Sequence, residues 1–361
     1  MEKQVGIGIV GTGTIAQAHL QSLQAVPTGK AVVVFDVIAE RAEATARRFG
    51  VPNVATSLDE VLDRDDVDGV IVATPPFAHA APTIAALKAG KHVLCEKPFA
   101  LDVAEAESMV ETAERTGMYL ACCSARERLT PQQTRAHHMI EMGELGDVYH
   151  VRSTSLRLRG RPGDHIMPGS DWFLDSRRAG GGAMMDIAVY TIDSVLWMLG
   201  NPRVLSVSAQ IKQFVDELPP TKQDVEDHVV LMMQCEGAKS GIVECAWVSN
   251  IVDANGLLVF GTKSGLMFEP LRQITVEHVD PAEVIRVPWQ DPERQFRPRQ
   301  KQIFASEFPQ MRQMNNVTSE FCRAIAEGRQ PMTPGKDALE VTKVIAAAYR
   351  SAEQGASVTL V

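Results

Sequence analysis

The sequence lacks long apolar runs. No stretch approaches the roughly 20 consecutive apolar residues that a membrane-spanning helix needs. The N-terminal segment MEKQVGIGIVGTGTIAQ also lacks the apolar core and cleavage site of a signal peptide, because its charged residues are followed directly by a strand-like segment and glycines. We therefore expect a cytoplasmic protein with no membrane partner.

An excess of basic residues is missing as well, and so is any cysteine pattern typical of a metal site. The formal net charge is −9, which argues against a nucleic-acid partner because phosphates are bound by clustered Lys and Arg. The six cysteines form no C-x-x-C pair, and no Cys/His cluster has zinc spacing. We expect reduced, buried thiols and no metal.

The N-terminal third carries a dinucleotide-binding pattern. VGIGIV (5–10) predicts a buried strand, AQAHLQSL predicts a helix, and G-x-G-x-x-A lies at the turn between them. Gly11 permits the tight turn, Gly13 lets the backbone approach a pyrophosphate, and Ala16 allows close packing of helix and strand. The phosphates would face the helix N-terminus. The predicted contacts here are Gly11, Gly13, Thr14 and Ile15.

The end of the second predicted strand indicates which nucleotide is bound. AVVVFD ends at Asp36, where an acidic residue would accept a hydrogen bond from a ribose 2′-hydroxyl. Val37 and Ile38 follow, so no adjacent residue could pair with a 2′-phosphate. NAD is therefore favoured as the cofactor. NADP is the alternative, with Arg41, one helical turn further on, as the partner of its extra phosphate.

Strands and helices alternate as far as MYLACCS, which predicts a parallel, doubly wound sheet with its ligands at the carboxyl ends of the strands. HVLCEKPFA places Lys97 at one of these ends, where the reactive ring of a cofactor would lie. A lysine there can donate hydrogen bonds to a substrate oxygen and can lower the pKa of a neighbouring acid. Glu96 precedes Lys97 at the same strand end, and Thr74-Pro75 lie at the carboxyl end of another strand.

Four segments resemble the glucose–fructose oxidoreductase/inositol dehydrogenase/MocA family. They are GIVGTGTIAQAHLQSL, VIVATPPFAHAAPTIAALKAGKHVLCEKP, GGGAMMDIAVYTIDSVLWMLG and GKDALEVTKVIAAAYRSAEQGASVTL. The resemblance implies an α/β Rossmann domain (1–124), followed by an α+β domain with an open, mostly antiparallel sheet (125–361) for substrate binding and oligomerisation. It also implies cofactor contacts, for which we expect Thr74, Pro75, His79, Glu96 and Lys97.

The glycine-led segment, under the same resemblance, forms a helix that faces the nicotinamide. Asp186, Tyr190 and Asp193 are spaced to share one helical face. Tyrosine stands where inositol dehydrogenases have histidine, as in the branch that contains glucose–fructose oxidoreductase and dihydrodiol dehydrogenase. We expect Lys97 to lower the pKa of Tyr190 so that it transfers the carbinol proton, and Asp186 to anchor a neighbouring hydroxyl.

Further candidates surround this helix. Arg126 follows the last Rossmann strand, where the family often places a substrate-side arginine, and Trp172 precedes the glycines and could wall a sugar. On one face of a predicted strand lie Arg157, Arg159 and Arg161, which could meet the substrate or a subunit partner.

The resulting expectation is an NAD(P)-dependent oxidoreductase acting on a sugar or related cyclic polyol. Two alternatives stay open: an enzyme acting on non-sugar diols, and a regulatory protein that binds the nucleotide without turnover. Because an open sheet face usually demands covering, we expect a homodimer or homotetramer through the second domain.

Overall fold

The structure is a computed structural model that describes residues 4–215, 218, 223–278, 296–303 and 316–360. The first part of the chain alternates strands and helices: β1 (Val5–Val10), α1 (Thr14–Ala25), β2 (Gly29–Phe35), α2 (Ala39–Phe49), β3 (Asn53–Val54), α3 (Leu58–Leu62), β4 (Gly69–Val72), α4 (Ala80–Lys88), β5 (His92–Cys95), α5 (Val103–Thr116) and β6 (Leu120–Cys122).

These six strands form one parallel sheet in the order β3-β2-β1-β4-β5-β6. The residues of β1 and β4 are buried throughout, because helices cover both faces of the sheet. Strand order reverses between β1 and β4, so their carboxyl ends open a crevice at the switch point. The predicted doubly wound Rossmann sheet is confirmed.

The second part contains α6 (Pro131–Glu141), β7 (Val148–Leu156), α7 (Ser176–Ala179), α8 (Val189–Met198), β8 (Val204–Lys212), β9 (His228–Cys235), β10 (Lys239–Ala246), β11 (Gly256–Gly261), β12 (Gly265–Met267), β13 (Arg272–His278), β14 (Phe296–Gln302), α9 (Val317–Glu327), α10 (Gly335–Gln354) and β15 (Val358–Thr359). A π-helical turn at Met184–Ala188 leads directly into α8.

The second sheet has nine strands in the order β14-β13-β12-β11-β7-β10-β9-β8-β15. Only β7 and β10 pair in parallel, and the other pairs of described strands are antiparallel, as predicted. The apolar helices α8 and α10 cover one face, where residues such as Val243 and Trp247 are fully buried. The alternate residues of β9 and β10 lie on the opposite face, which α8 and α10 leave uncovered.

The C-terminal helices join the two sheets. Although α9 lies in the predicted second domain, it packs against α1, β1, β2 and β5, and its Phe321 is fully buried there. The ring of His19 on α1 lies 2.7 Å from the hydroxyl of Thr318 on α9. Helix α10 contacts both α5 and β8, which fixes the Rossmann domain against the second sheet.

The fold also shows the state of the cysteines and the hydropathy of the helices. All six cysteines are buried and free of disulfides, as predicted. Within the described ranges, no helix combines the length and the hydropathy needed to cross a membrane.

Candidate active site

A cleft of about 1080 Å³ lies along the carboxyl edge of the parallel sheet, facing the second domain. One wall comes from the ends of β1, β2, β4 and β5. The other comes from the segment before α7 and from the start of α8, so that both domains contribute side chains to one cavity.

The glycine turn after β1 forms one end of this cleft. Gly11 has a φ of +87°, and a Cβ atom there would lie 2.8 Å from the carbonyl oxygen of Ala73, so only glycine fits. At Gly13 the position of a Cβ atom faces open space. Helix α1 begins at Thr14 without a side-chain cap and without an acidic residue in its first turn. These features fit a pyrophosphate, and Thr14 and Ile15 line the cleft beside it.

Asp36 closes the same end of the cleft. Its Oδ2 atom accepts hydrogen bonds from the backbone N–H of Thr12 at 2.8 Å and from the Thr12 hydroxyl at 2.9 Å, and its Oδ1 atom accepts one from the N–H of Ile38. A fixed carboxylate at this place fits a ribose diol and repels a 2′-phosphate. Arg41 lies 4.0 Å away with its side chain about half exposed.

Thr74 and Pro75 line the cleft after β4, but His79 does not. The His79 ring is fully buried, with Nδ1 2.7 Å from the carbonyl oxygen of Pro98 and Nε2 2.8 Å from that of Thr74. Burial lowers its pKa. The prediction that His79 contacts the cofactor directly is therefore corrected: the ring ties the loop after β4 to the loop after β5.

Lys97 and Asp186 form the centre of the cleft. The ammonium of Lys97 donates to Oδ1 of Asp186 at 2.7 Å and to the Asp186 carbonyl oxygen at 3.2 Å. Burial disfavours the charged ammonium, yet the carboxylate beside it outweighs this effect and the pKa of Lys97 is raised well above its ordinary value. In this pair Lys97 is therefore held in its charged, protonated form.

Asp186 is fully engaged by protein groups. Its Oδ2 atom accepts hydrogen bonds from Arg157 and from the indole N–H of Trp247, both at 2.9 Å. Burial opposes ionisation, but the charges of Lys97 and Arg157 lower the pKa of Asp186 to about 2. Besides the expected role of anchoring a substrate hydroxyl, Asp186 therefore holds Lys97 in place and keeps it charged.

Tyr190 presents the face of its ring to two cations. The ammonium of Lys97 lies 5.1 Å from the ring centroid, and the guanidinium carbon of Arg126 lies 4.8 Å from it. Burial raises the pKa of Tyr190, and although both cations act against this effect, the net result is a pKa of about 12. Lys97 lowers this pKa, as predicted, but burial outweighs its effect, so Tyr190 is a neutral phenol at neutral pH.

Glu96 and Arg126 form a second ion pair beside the first. Glu96 accepts from Nε2 of His19 at 3.0 Å and from the backbone N–H of Lys97 at 2.9 Å, while Nη2 of Arg126 lies 3.4 Å from both carboxylate oxygens. Although burial acts in the opposite direction, these partners hold the pKa of Glu96 well below its usual range. Both side chains line the cleft.

Asp193 does not share the cleft-facing side of the helix, contrary to the prediction from its spacing. It is buried and accepts two hydrogen bonds from Arg128, at 2.6 and 2.8 Å, and Arg128 also binds Asp337 on α10. The π-helical turn at 184–188 departs from the regular helical period and changes how Asp186 faces relative to α8, and the ion pair with Arg128 holds Asp193 in the interior.

Two of the three glycines allow close packing against residues from distant parts of the chain. A Cβ atom at Gly181 would collide with the hydroxyl of Tyr349, and one at Gly182 would collide with the backbone of Glu226. The Glu226 carboxylate accepts hydrogen bonds from the N–H groups of Gly182 and Met184, and Tyr349 donates to it. The π-helical turn that carries Asp186 is thereby capped.

Trp172 lies in the wall that the second domain contributes. It stacks on Phe173 with ring centroids 3.8 Å apart, and both rings line the cleft. The three arginines predicted on one strand face diverge: Arg157 reaches Asp186, Arg159 bonds backbone carbonyls near Ser249, and Arg161 is buried beside Asp227.

Sequence reasoning missed Trp247, Glu226 and Tyr349. Trp247 and Glu226 lie in strand-like stretches with no motif, 61 and 44 residues from their hydrogen-bond partners. Only Tyr349 lies in a segment that carried the family resemblance.

This geometry defines a class of protein: a nicotinamide-dependent oxidoreductase with its site between a Rossmann domain and an open-sheet domain. Residues 5–122 match the model described as "Oxidoreductase family, NAD-binding Rossmann fold", and residues 134–267 match the "GFO/IDH/MocA C-terminal domain". The chain therefore belongs to the Gfo/Idh/MocA family. It is an NAD(P)-dependent enzyme of the CH–OH oxidoreductase class, and NAD is its cofactor.

Individual relatives are similar over most of the chain. A levoglucosan dehydrogenase from Pseudarthrobacter phenanthrenivorans is 29% identical, over 74% of each chain. A myo-inositol 2-dehydrogenase from Thermotoga maritima is 26% identical, over 76% of this chain and 78% of that protein. A solved levoglucosan dehydrogenase, in complex with NADH and levoglucosan, is 26% identical and superposes with a TM-score of 0.80 over 99% of this chain and 100% of the other.

Proposed function

We propose that this protein transfers a hydride between a carbinol carbon of a sugar or cyclic polyol and NAD, using Lys97, Tyr190 and Asp186. The observation that carries the proposal is the buried Lys97 ammonium, held 2.7 Å from Asp186 and beside Tyr190, in the cleft that the glycine turn opens. The similarity to levoglucosan and myo-inositol dehydrogenases supports a polyhydroxy substrate.

The cofactor contacts would be divided along the cleft. The glycine turn and the first turn of α1 would hold the pyrophosphate, and Asp36 would accept from a ribose hydroxyl. Thr74 and Pro75 would flank the route to the nicotinamide. NAD supplies the hydride acceptor, and the chemistry left to the protein is to orient the carbinol and to move its proton.

Lys97 would act on the carbinol oxygen as a fixed positive charge. A hydrogen bond from its ammonium stabilises the negative charge that develops on that oxygen as the C–H bond breaks. Asp186 keeps the ammonium protonated and aimed, and Arg157 and Trp247 keep Asp186 in position. Asp186 has the lowest pKa of the three side chains and stays ionised, so its role would be to position Lys97.

Tyr190 would carry the proton as a neutral phenol. With a pKa of about 12, it can accept the carbinol proton only while its own proton moves on, and in the reverse direction it is already protonated and can donate to the developing alkoxide. Its ring contacts with Lys97 and Arg126 place the hydroxyl-bearing side chain in the same cleft.

The test is an absorbance assay for reduced nicotinamide with NAD or NADP across pyranoses, anhydrosugars, inositols and non-sugar diols. We expect reduction of NAD by at least one polyhydroxy ring compound. Turnover confined to non-sugar diols would mean that the protein is a diol dehydrogenase and not a sugar dehydrogenase. No turnover with any carbinol in either direction would overturn the proposal.

A further inference from the structure

We propose that the substrate carries a carboxylate in addition to the reacting carbinol, as a sugar acid does, and that Arg126 binds this carboxylate. This inference rests on the proposed function and narrows its substrate class. It begins from an imbalance in the ion pairs of the cleft: three cationic side chains, Lys97, Arg126 and Arg157, pair with two carboxylates, Asp186 and Glu96. Glu127, whose charge also acts on Arg126, does not line the cleft.

The imbalance arises because Asp186 is shared. Its two oxygens serve Lys97 and Arg157 at 2.7 and 2.9 Å, so one negative charge faces two positive ones. A surplus positive charge in a largely buried setting is costly in free energy unless an anion neutralises it. An anionic substrate would supply the missing charge on binding.

Arg126 is a cation with hydrogen-bond donors that the described residues leave unused. Its Nε atom donates to the carbonyl oxygen of Cys123, and its Nη2 atom reaches Glu96 only at 3.4 Å, the long end of the hydrogen-bond range. In the part of the chain that the structure describes, its Nη1 atom has no hydrogen-bond partner. Glu96 also accepts hydrogen bonds from His19 and from the N–H of Lys97, so its acceptor oxygens do not depend on Arg126 alone.

The exposure of Arg126 fits this role. Its side chain is 32% exposed and lines the cleft, whereas Arg128, two residues later, is 3% exposed and closed off by Asp193 and Asp337. A planar guanidinium with a free edge in a cleft is the group best suited to a carboxylate, because it offers parallel donors.

Tyr190 contacts both of the cations that would bind the two ends of such a substrate. Both Lys97 and Arg126 contact its ring, so one sugar-sized molecule can place its carbinol at Lys97 and its carboxylate at Arg126. The reaction leaves the carboxylate unchanged: the CH–OH carbon becomes C=O, its hydrogen leaves as hydride to NAD⁺, and the hydroxyl proton passes to solvent. The products are a keto sugar acid, NADH and a proton.

The test compares each acid with its uncharged amide. Hexuronates such as glucuronate and galacturonate would be assayed beside the matching uronamides and the parent hexoses, all with NAD⁺. A charge-assisted hydrogen bond to Arg126 predicts that kcat/KM for at least one acid exceeds that of its amide by about 10- to 100-fold. If parent hexoses and amides react as well as the acids or better, the inference is wrong while the proposed function stands. If none of these sugar compounds reacts but an inositol or another neutral ring compound of the absorbance screen does, the inference is wrong and the proposed function stands. If no carbinol reacts at all, the proposed function fails.

Variants then locate the effect. Arg126→Gln is expected to bring the acid-to-amide ratio of kcat/KM close to one, and Arg126→Lys should retain part of it because the charge stays. Arg48→Gln, which removes an arginine from the edge of the same cleft, is the matched control and should leave the ratio unchanged. An acid-to-amide ratio that survives in Arg126→Gln, or one that falls equally in Arg48→Gln, overturns the assignment.

Discussion

The pKa of Tyr190 shows how burial and charge compete at a single residue. Two cations lie about 5 Å from its ring, yet removal from water dominates and the pKa rises to about 12. Sequence could indicate that Lys97 and Tyr190 meet, because a strand-end motif and a helix pattern placed both at the cofactor. It could not indicate how deeply they are buried, since that depends on the packing of both domains.

The neutral phenol leads to a prediction for Tyr190→Phe. We expect kcat to fall by about two orders of magnitude, evenly from about pH 6 to pH 9, because an acid with a raised pKa keeps its proton throughout that range. The fold should persist, since the ring and its cation contacts remain. The measurement is the pH profile of kcat for both proteins; a wild-type limb near neutral pH that vanishes in the variant would indicate a phenolate base instead.

Asp36 supports a prediction about cofactor choice. Asp36→Ser keeps an acceptor for the Thr12 hydroxyl but removes the charge that faces the 2′ position. The ratio of kcat/KM for NADP over NAD should rise by roughly tenfold, because charges near a protein surface interact with about 1–4 kcal/mol at close range. The double variant Asp36→Ser/Arg41→Gln is the control and should lose most of this gain. An unchanged ratio in Asp36→Ser would mean that this carboxylate does not face the ribose.

At the scale of elements, the glycine-led π-helical turn is the feature that a regular helical period could not predict. Spacings of four and three residues predicted Asp186, Tyr190 and Asp193 on one face. The π-helical turn carries Asp186 out of the regular period of α8, and Asp193 is buried against Arg128. The Rossmann elements followed readily from sequence because their apolar runs, turns and caps are local. The partners that shape the π-helical turn, Glu226 and Tyr349, lie far along the chain, and no local pattern indicates that they contact this turn.

Gly181→Ala tests this turn. The φ of Gly181 is +155°, and a Cβ atom would strike the Tyr349 hydroxyl, so we expect a loss of more than about 1 kcal/mol in the free energy of unfolding together with a lower kcat as Asp186 shifts. Gly50→Ala is the control: its φ is also positive, but nothing lies within 4 Å, so stability should fall less and kcat should stay the same. Denaturant unfolding and steady-state assays give both values, and equal effects of the two variants would contradict the account.

At the scale of the whole molecule, the uncovered face of the nine-stranded sheet carries the expectation of an oligomer. Strand register places Met232, Ile242, Leu258 and Phe260 on this one face, and Met232 and Phe260 are 41% and 37% exposed. We expect a subunit interface on this face, because exposed apolar residues on one sheet face favour contact between proteins. Sequence leads to the expectation of a partner there, but it does not indicate the number of subunits.

Light scattering tests this expectation. We expect the wild type to have the mass of a dimer or tetramer, and Phe260→Glu to shift it towards the monomer, because a buried unpaired carboxylate would be costly at the interface. Met142→Glu, at an exposed position at the end of α6, should leave the mass unchanged. A monomeric wild type, or an unaltered mass in Phe260→Glu, would place the interface elsewhere.

The central claim is that the Lys97 ammonium stabilises the reacting oxygen, and the turnover of Lys97→Met tests it most directly. This variant keeps the length of the side chain but removes its charge and donors. With the substrate found in the absorbance screen, we expect kcat to fall by about two to four orders of magnitude while the affinity for NAD changes little, and Lys88→Met, at an exposed lysine, to behave as the wild type. A Lys97→Met enzyme that turns over at a near-normal rate would contradict the claim.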